Sequence, residues 1–144
     1  LETYDVITLF HVLEHIHSLR KTVKKLINRL KSNSYMVIAV PNPESSDAKH
    51  YGSDWAGYDV PRHLYHFSQK SMTAFQEQFE LELVRIEPLA YDSYYVSLLS
   101  EGYKNPKVGL LTRYMKAFTQ GYQSNQSAGK PGNYSSNIFI FKKK

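Results

Sequence analysis

The stretch Tyr4–Val40 decides the fold, because two apolar runs, YDVITLF (Tyr4–Phe10) and YMVIAV (Tyr35–Val40), enclose an amphipathic segment. Both runs are apolar at consecutive positions and rich in β-branched residues, as expected of parallel strands buried on both faces. Between them, apolar residues at three- and four-residue steps predict one long helix, with its stripe on Val12, Ile16, Leu19, Val23, Leu26, Ile27 and Leu30. We expect Asn33 to cap this helix in the left-handed conformation. The pattern predicts a right-handed βαβ unit of a doubly wound sheet.

Ligands of doubly wound sheets bind beyond the carboxyl ends of the strands. Two segments are therefore candidate site segments, Phe10–His15 and the stretch 41–67 that follows Val40. The second has little regular pattern and is long for a connection, which is typical of functional or disordered loops. Its aromatic residues argue against disorder; they are Tyr51, Trp55, Tyr58, Tyr65 and Phe67.

The rest of the chain predicts further elements of the same fold. Ser68 is the expected N-cap of a helix ending near Phe79, and Leu81–Ile86 is an expected strand. A helix over Tyr95–Tyr103 is expected next, and Asn105-Pro106 should start another. The second helix has an apolar face that comprises Val108, Leu111, Met115, Phe118 and Tyr122. A polar loop over Gln120–Asn133 and a closing strand over Ser136–Phe141 complete the prediction.

Composition excludes several classes of protein. The 144 residues suit one domain, and the absence of cysteine excludes disulfides, thiolate catalysis and zinc–thiolate sites. The net charge of +5 is modest, and the lysines near Val23 are not interleaved with aromatic residues, so we expect neither nucleic acid nor membrane as a partner. The lack of a long apolar run or a signal peptide predicts a cytoplasmic protein. A strand pattern that follows Leu1 almost at once indicates an internal start.

Three segments resemble class I S-adenosylmethionine (SAM)-dependent methyltransferases: YDVITLFHVLEHI (Tyr4–Ile16), YMVIAVPNP (Tyr35–Pro43) and WAGYDVPRHLYHFS (Trp55–Ser68). The first two are similar to the fourth and fifth strands of the family with the segments that follow them. The third is similar to a narrower bacterial group of uncharacterised methyltransferases. The resemblance implies an α/β fold with a partial Rossmann-like sheet, in family strand order 4-5-7-6 with the last strand antiparallel. It also implies flanking helices, an acceptor-side loop at 41–67 and a helical insert at 92–124.

The departures from the family imply that residues 1–144 form only the C-terminal half of a methyltransferase domain. The glycine-rich turn after the first family strand is missing, since no G-x-G occurs in the chain, and so is the acidic residue that holds the ribose. The implied cofactor is SAM, with weak or no binding by this chain alone. The whole protein would methylate a small-molecule acceptor, and this portion alone would be inactive. Tyr4–Phe10 would be an exposed sheet edge, covered by self-association or by the missing half.

The resemblance also implies site residues. Leu9, Phe10 and His11 would touch the methionine part of the cofactor, although strand-end packing also explains them. His15 is a candidate catalytic base or a structural residue at the core edge, and Glu14 is expected to be a surface carboxylate. In the loop, His63 and His66 are candidate catalytic bases because histidine titrates near neutrality. Candidate substrate-binding residues are Trp55, Tyr58, Arg62 and Tyr65, unless the loop simply packs on its own aromatics.

Two other functions stay open. His11-x-x-Glu14-His15 matches the H-x-x-E-H signature of inverzincins, with Glu87 as a third ligand, but its place directly after a strand favours the methyltransferase interpretation. A second form of the metal hypothesis keeps the methyltransferase fold. It binds Mg²⁺ through His11, Glu14, His15 and one of His63 or His66. The favoured interpretation has no metal. The other alternative is a truncated, non-catalytic relative that acts as an interaction module.

Overall fold

The sheet has the predicted strand order. The structure, a computed structural model, describes residues 2–130 and 132–144. Its strands are β1 (Tyr4–Phe10), β2 (Leu30–Pro41), β3 (Leu81–Pro88) and β4 (Ser136–Lys143), arranged in the order β1-β2-β4-β3. β1 pairs in parallel with β2, whereas β4 runs antiparallel to both β2 and β3. The carboxyl ends of β1, β2 and β3 therefore meet the amino end of β4 at one edge.

Five α-helices flank this sheet in the described residues: α1 (Leu19–Arg29), α2 (Ser46–Tyr51), α3 (Gln69–Gln78), α4 (Asp92–Lys104) and α5 (Leu110–Ala128). The main core lies between the sheet and the helices α1 and α3, and Val23, Met36 and Ile38 are completely buried in it. Aromatic rings join α3 to β4, with 5.5 Å between the ring centroids of Phe75 and Phe141. Ser68 caps α3 as predicted, since its side chain accepts a hydrogen bond from the Ser71 amide.

The single helix predicted after β1 is wrong, because the chain forms a 3-10 turn at Leu13–His15 and begins α1 only at Leu19. The carbonyl oxygen of Glu14 accepts a hydrogen bond from the Leu64 amide (2.8 Å) and so is engaged outside a helical ladder. Leu13 is completely buried at this turn. Asn33 is left-handed as predicted, with φ 62°, but it lies inside β2 and not at a helix end.

α5 departs from the sequence pattern in its extent and in the face it buries. It starts at Leu110 and not at Asn105, and it continues through Gln120–Ala128, which was predicted as a loop. Its predicted apolar face lies largely in solvent, with Leu111 76% and Phe118 65% exposed. Small residues form the buried face instead, because α4 approaches so closely that a Cβ at Gly121 would contact Tyr94 at 2.7 Å. No helix in the described ranges is long and apolar enough to cross a membrane.

Residues 41–67 contain more regular secondary structure than the pattern predicted, namely α2 and 3-10 turns at Gly52–Asp54 and Ala56–Tyr58. The fully buried carboxylate of Asp47 anchors this loop by accepting three hydrogen bonds. The donors are Trp55 Nε1 at 2.8 Å, Ser124 Oγ at 2.7 Å and Ser135 Oγ at 2.6 Å. Asp47 thereby connects the loop to α5 and to the segment that enters β4.

Candidate functional site

A cavity of about 310 Å³ opens at the edge where the strand ends meet. This volume lies at the lower end of the range typical of small-molecule pockets. Its walls come from the end of β1, from the second half of the 41–67 loop and from α4. The polar and aromatic lining residues are His11, Asp59, Arg62, His63, Asp92, Tyr95, Tyr103 and Ser136.

His11 follows β1 directly and is held in the left-handed conformation, with φ 51°. Its amide donates to the carbonyl of Ala39, which extends the pairing of β1 with β2 by one residue. Its imidazole lies between two carboxylates, with Nε2 2.9 Å from Asp92 Oδ2 and Nδ1 3.3 Å from Glu14 Oε1. Asp92 foremost, and then Glu14, raise the pKa of His11 to about 10 against the opposing effect of burial. His11 is therefore an imidazolium at neutral pH.

Glu14 is buried, with 1% of its surface exposed, so the expectation of a surface carboxylate is wrong. The 3-10 turn rotates this side chain inward, whereas a continuous helix would have left it on the outside. Within the described residues, neither carboxylate oxygen makes a well-aligned hydrogen bond. Two histidine nitrogens lie beside Oε1, His11 Nδ1 at 3.3 Å and His63 Nε2 at 3.9 Å.

His63 places an unprotonated nitrogen at the cavity wall. Its Nδ1 lies 2.9 Å from the carbonyl oxygen of Gly57, and because a carbonyl only accepts, Nδ1 carries the proton and Nε2 carries the lone pair. Burial lowers the pKa of the His63 imidazole below its usual value, which keeps the ring neutral. Nε2 lies 3.9 Å from Glu14 Oε1 and 3.9 Å from Asp59 Oδ2.

The other two candidate histidines are exposed and do not line the cavity. His15 Nδ1 donates to the carbonyl of Arg62 (3.0 Å), and its ring meets that of His63 edge-on at 4.7 Å. His66 Nε2 donates to the carbonyl of Tyr58, and its ring lies 5.2 Å from the Tyr58 ring. Glu14, His15 and His63 each offer a ligand atom within 4.8 Å of the others. The structure thus brings three residues of the predicted metal sets together, without His11 or His66.

The remaining predicted residues divide between the cavity, the core and the exposed surface. Arg62 lines the cavity and pairs with Asp59 at 2.6 Å. Trp55 is buried with its Nε1 on Asp47, and Tyr58 packs edge-on against it at 5.0 Å, so neither reaches the cavity; Tyr65 also lies outside the lining. At the end of β1, Leu9 belongs to the core, whereas 47% of Phe10 is exposed.

Sequence reasoning missed Asp92, Asp59 and the two tyrosines of α4 that line the cavity. Asp92 was detectable, because β3 runs parallel to β1 and β2 and its carboxyl end lies at the same edge of the sheet. The rule that singled out the residues after the first two strands applies equally to the residues after the third. Tyr95 and Tyr103 lie on the helix that follows, and no local signal distinguishes them from other surface tyrosines.

The fold and this edge define a Rossmann-like α/β protein with a ligand cavity beyond its strand ends. A family model described as a methyltransferase domain matches residues 1–86, and the chain belongs to that family. SAM is the cofactor of proteins of this kind. No curated protein matches the sequence.

Solved structures share the fold at low sequence identity. A SAM-dependent methyltransferase from Thermotoga maritima has a TM-score of 0.57 and 11% identity, over 99% of this chain and 57% of that one. The [4+2]-cyclase SpnF has a TM-score of 0.55 and 11% identity, over 99% and 50%. Phosphoethanolamine N-methyltransferase 2 of Haemonchus contortus, in complex with SAM, has a TM-score of 0.50 and 13% identity, over 97% and 33%. The chain thus spans a third to three fifths of the length of these proteins.

Proposed function

We propose that this chain is the acceptor-binding half of a SAM-dependent methyltransferase and that its cavity binds a small-molecule methyl acceptor. The observation that carries the proposal is the coincidence of family membership with a cavity at the carboxyl ends of β1, β2 and β3. Ligands of doubly wound sheets bind at this place. Fold alone does not select the reaction, as a cyclase of the same fold illustrates.

His63 is the proposed proton acceptor. In methyl transfer, the acceptor atom attacks the methyl carbon in line with the carbon–sulfur bond, and the sulfonium leaves as a thioether. A hydroxyl or ammonium acceptor must lose a proton, and His63 Nε2 has a lone pair at the cavity wall. His15 and His66 are weaker candidates because neither lines the cavity. Tyr95, Tyr103 and Arg62 are the proposed acceptor contacts, and Trp55 supports the loop from behind.

The end of β1 is the proposed point of contact with the cofactor. Phe10 is half exposed and His11 lines the cavity, so both are accessible to a ligand there, whereas Leu9 contributes its backbone. Both ring nitrogens of His11 already face carboxylates, so its proposed contact with the methionine part of SAM is through backbone groups. SAM supplies the electrophilic methyl group when bound. The glycine-rich turn that holds it in the family is not among these residues, so we expect weak cofactor binding by this chain alone.

The open edge of β1 supports a second candidate function, that of a non-catalytic interaction module. Half of Val6 is exposed on this strand, and long apolar edges are usually covered in native proteins. Size-exclusion chromatography with light scattering tests the association that this predicts. A stable monomer would argue against association through β1 and would leave the cavity proposal intact.

The acceptor proposal is tested by ligand-observed NMR of the full chain with a panel of small phenols, carboxylic acids and amines. We expect binders that Tyr95→Ala weakens and that Tyr65→Ala, outside the cavity, leaves unchanged. In a protein that joins this chain to a glycine-rich cofactor half, release of S-adenosylhomocysteine should accompany methylation of those binders. His63→Gln should lower that rate at least about 100-fold, and His66→Gln should not. A panel without binders, or binders insensitive to Tyr95→Ala, would count against the proposal.

A further inference from the structure

Glu14, His15 and His63 form a compact cluster, and His63 connects it to the cavity that it lines. Two come from the 3-10 turn after β1 and one from the loop, and the hydrogen bonds from Leu64 N to Glu14 O (2.8 Å) and from His15 Nδ1 to Arg62 O (3.0 Å) hold the two segments together. One donor atom from each side chain lies within 4.8 Å of the other two, and Glu14 Oε1 is 3.9 Å from His63 Nε2. Ligand atoms around one Zn²⁺ lie roughly 3.4 Å apart, so the three side chains would have to move closer together by small rotations to bind a shared ion.

The buried carboxylate of Glu14 lacks the partners that would offset the cost of its burial. An ionised carboxylate costs several kcal/mol to bury unless it is paired or hydrogen-bonded. Glu14 makes no well-aligned hydrogen bond among the described residues, and His11, its neighbour at 3.3 Å, lies closer to Asp92 at 2.9 Å. One histidine ring is therefore shared between two carboxylates. A cation beside Glu14 would give its buried oxygens the partner that they lack.

Both histidines of the cluster are held in a tautomer that leaves one ring nitrogen with a lone pair for a metal ion. Nδ1 of His15 donates to the carbonyl of Arg62, and Nδ1 of His63 donates to the carbonyl of Gly57. Each ring therefore keeps the lone pair on Nε2. Metal-binding histidines nearly always donate their other ring nitrogen to a carbonyl or carboxylate, which fixes the ring and raises its basicity.

The donor set selects the class of metal. Two imidazole nitrogens and one carboxylate are typical of Zn²⁺ and its transition-metal neighbours, whereas Mg²⁺ and Ca²⁺ prefer oxygen ligands. The set differs from the H-x-x-E-H pattern in the sequence. His11 is engaged by two carboxylates, and Glu87 pairs with Arg85 Nε at 2.7 Å on β3.

We infer that Glu14, His15 and His63 bind one divalent transition-metal ion of the Zn²⁺ class, with an open coordination position toward the acceptor cavity. What the ion does there rests on the proposed function. An acceptor hydroxyl on the open position would lose its proton to solvent more readily, with both O–H electrons kept on the oxygen that attacks the methyl carbon. In this form His63 is a ligand, and coordination takes over its role as base.

The test titrates the full chain, first stripped with EDTA, with Zn²⁺ by calorimetry and with Co²⁺ by visible absorption. We expect one ion per chain, with ligand-field bands of Co²⁺ bound to nitrogen and oxygen. Glu14→Gln and His63→Gln should each weaken binding by at least about tenfold. His17→Gln, an exposed histidine two residues from the cluster, is the matched control and should bind like the parent chain.

Thermal unfolding of the EDTA-treated variants separates lost ligation from lost folding. Glu14→Gln keeps the shape of the side chain, and a cooperative thermal transition of this variant would show that it still folds. Absence of Zn²⁺ binding, or binding that Glu14→Gln leaves unchanged in a folded protein, would overturn the inference. Neither result would contradict the proposed function. Acceptor binding and methyl transfer measured in EDTA test that function separately.

Discussion

His11 Nε2 lies 2.9 Å from Asp92 Oδ2, and this contact joins the end of β1 to the first residue of α4. His11 is also the residue that leaves β1 in the left-handed conformation. Non-glycine residues adopt that conformation at a cost of order 1–3 kcal/mol, which the surrounding contacts must offset. The pair thus holds a strained strand end in place and closes one wall of the cavity.

This pair makes stability depend on pH. The folded pKa of His11 is about 10, above its ordinary value of 6.5, so the folded chain holds more protons than the unfolded chain between those values. Its contribution to stability is therefore complete below about pH 6.5 and is lost as the pH rises through about 10. The melting temperature of the EDTA-treated chain should fall over this range more steeply than that of His11→Gln. Parallel curves for the two proteins would contradict the pairing.

Asp47 should be among the residues most costly to replace. Asp47→Ala leaves the Trp55 indole N–H and the hydroxyls of Ser124 and Ser135 without their acceptor in a buried site. Hydrogen bonds to charged groups contribute about 1.5–3 kcal/mol each, so we expect the free energy of unfolding to fall by at least about 3 kcal/mol in urea denaturation. Asp47→Asn, which keeps one acceptor oxygen, should lose less. A loss of less than about 1 kcal/mol in Asp47→Ala would show that the carboxylate is not the anchor.

Gly57 should link the packing of the loop to the orientation of His63 in the site. A Cβ at this position would overlap the buried Trp55 indole, whereas a Cβ at Gly109 would meet no atom within 4 Å. Gly57→Ala should therefore destabilise the chain by about 1–3 kcal/mol, and Gly109→Ala should not. Because the Gly57 carbonyl orients His63, Gly57→Ala should also weaken Zn²⁺ and acceptor binding in the fraction that stays folded. Unaltered binding would show that the Gly57 carbonyl does not determine the orientation of His63.

The sequence predicted the sheet well, because buried parallel strands have a strong local signature. Tyr4–Phe10 has the predicted bounds, and the order and direction of all four strands follow the family resemblance. The break in the predicted helix after His15 could not be predicted from the spacing of the apolar residues. The apolar residues at 12–30 fit one helix, and only the tertiary hydrogen bond from Leu64 to Glu14 shows why the helix does not start there.

The sequence predicted where the candidate site lies but not which contacts its residues make. His11, Arg62 and His63 do line one cavity, because parallel strands bring their carboxyl ends to one edge. The roles of individual aromatics depended on which side of the loop faces inward, and composition carries no information about that. Trp55 could be a pocket wall or a core residue by sequence, and its hydrogen bond to Asp47 places it in the core.

A leucine on the exposed face of α5 can be compared with a leucine in the core. Leu111 is 76% exposed, whereas Leu13 is completely buried. Leu13→Ala should lower the free energy of unfolding by about 2–5 kcal/mol, as large-to-small core substitutions do. Leu111→Ala should change it by less than about 0.5 kcal/mol. Urea denaturation at two protein concentrations checks both values. If Leu111→Ala proved costly and its cost rose with concentration, the α5 face would be buried between copies of the chain, and the edge of β1 would not be the main site of association.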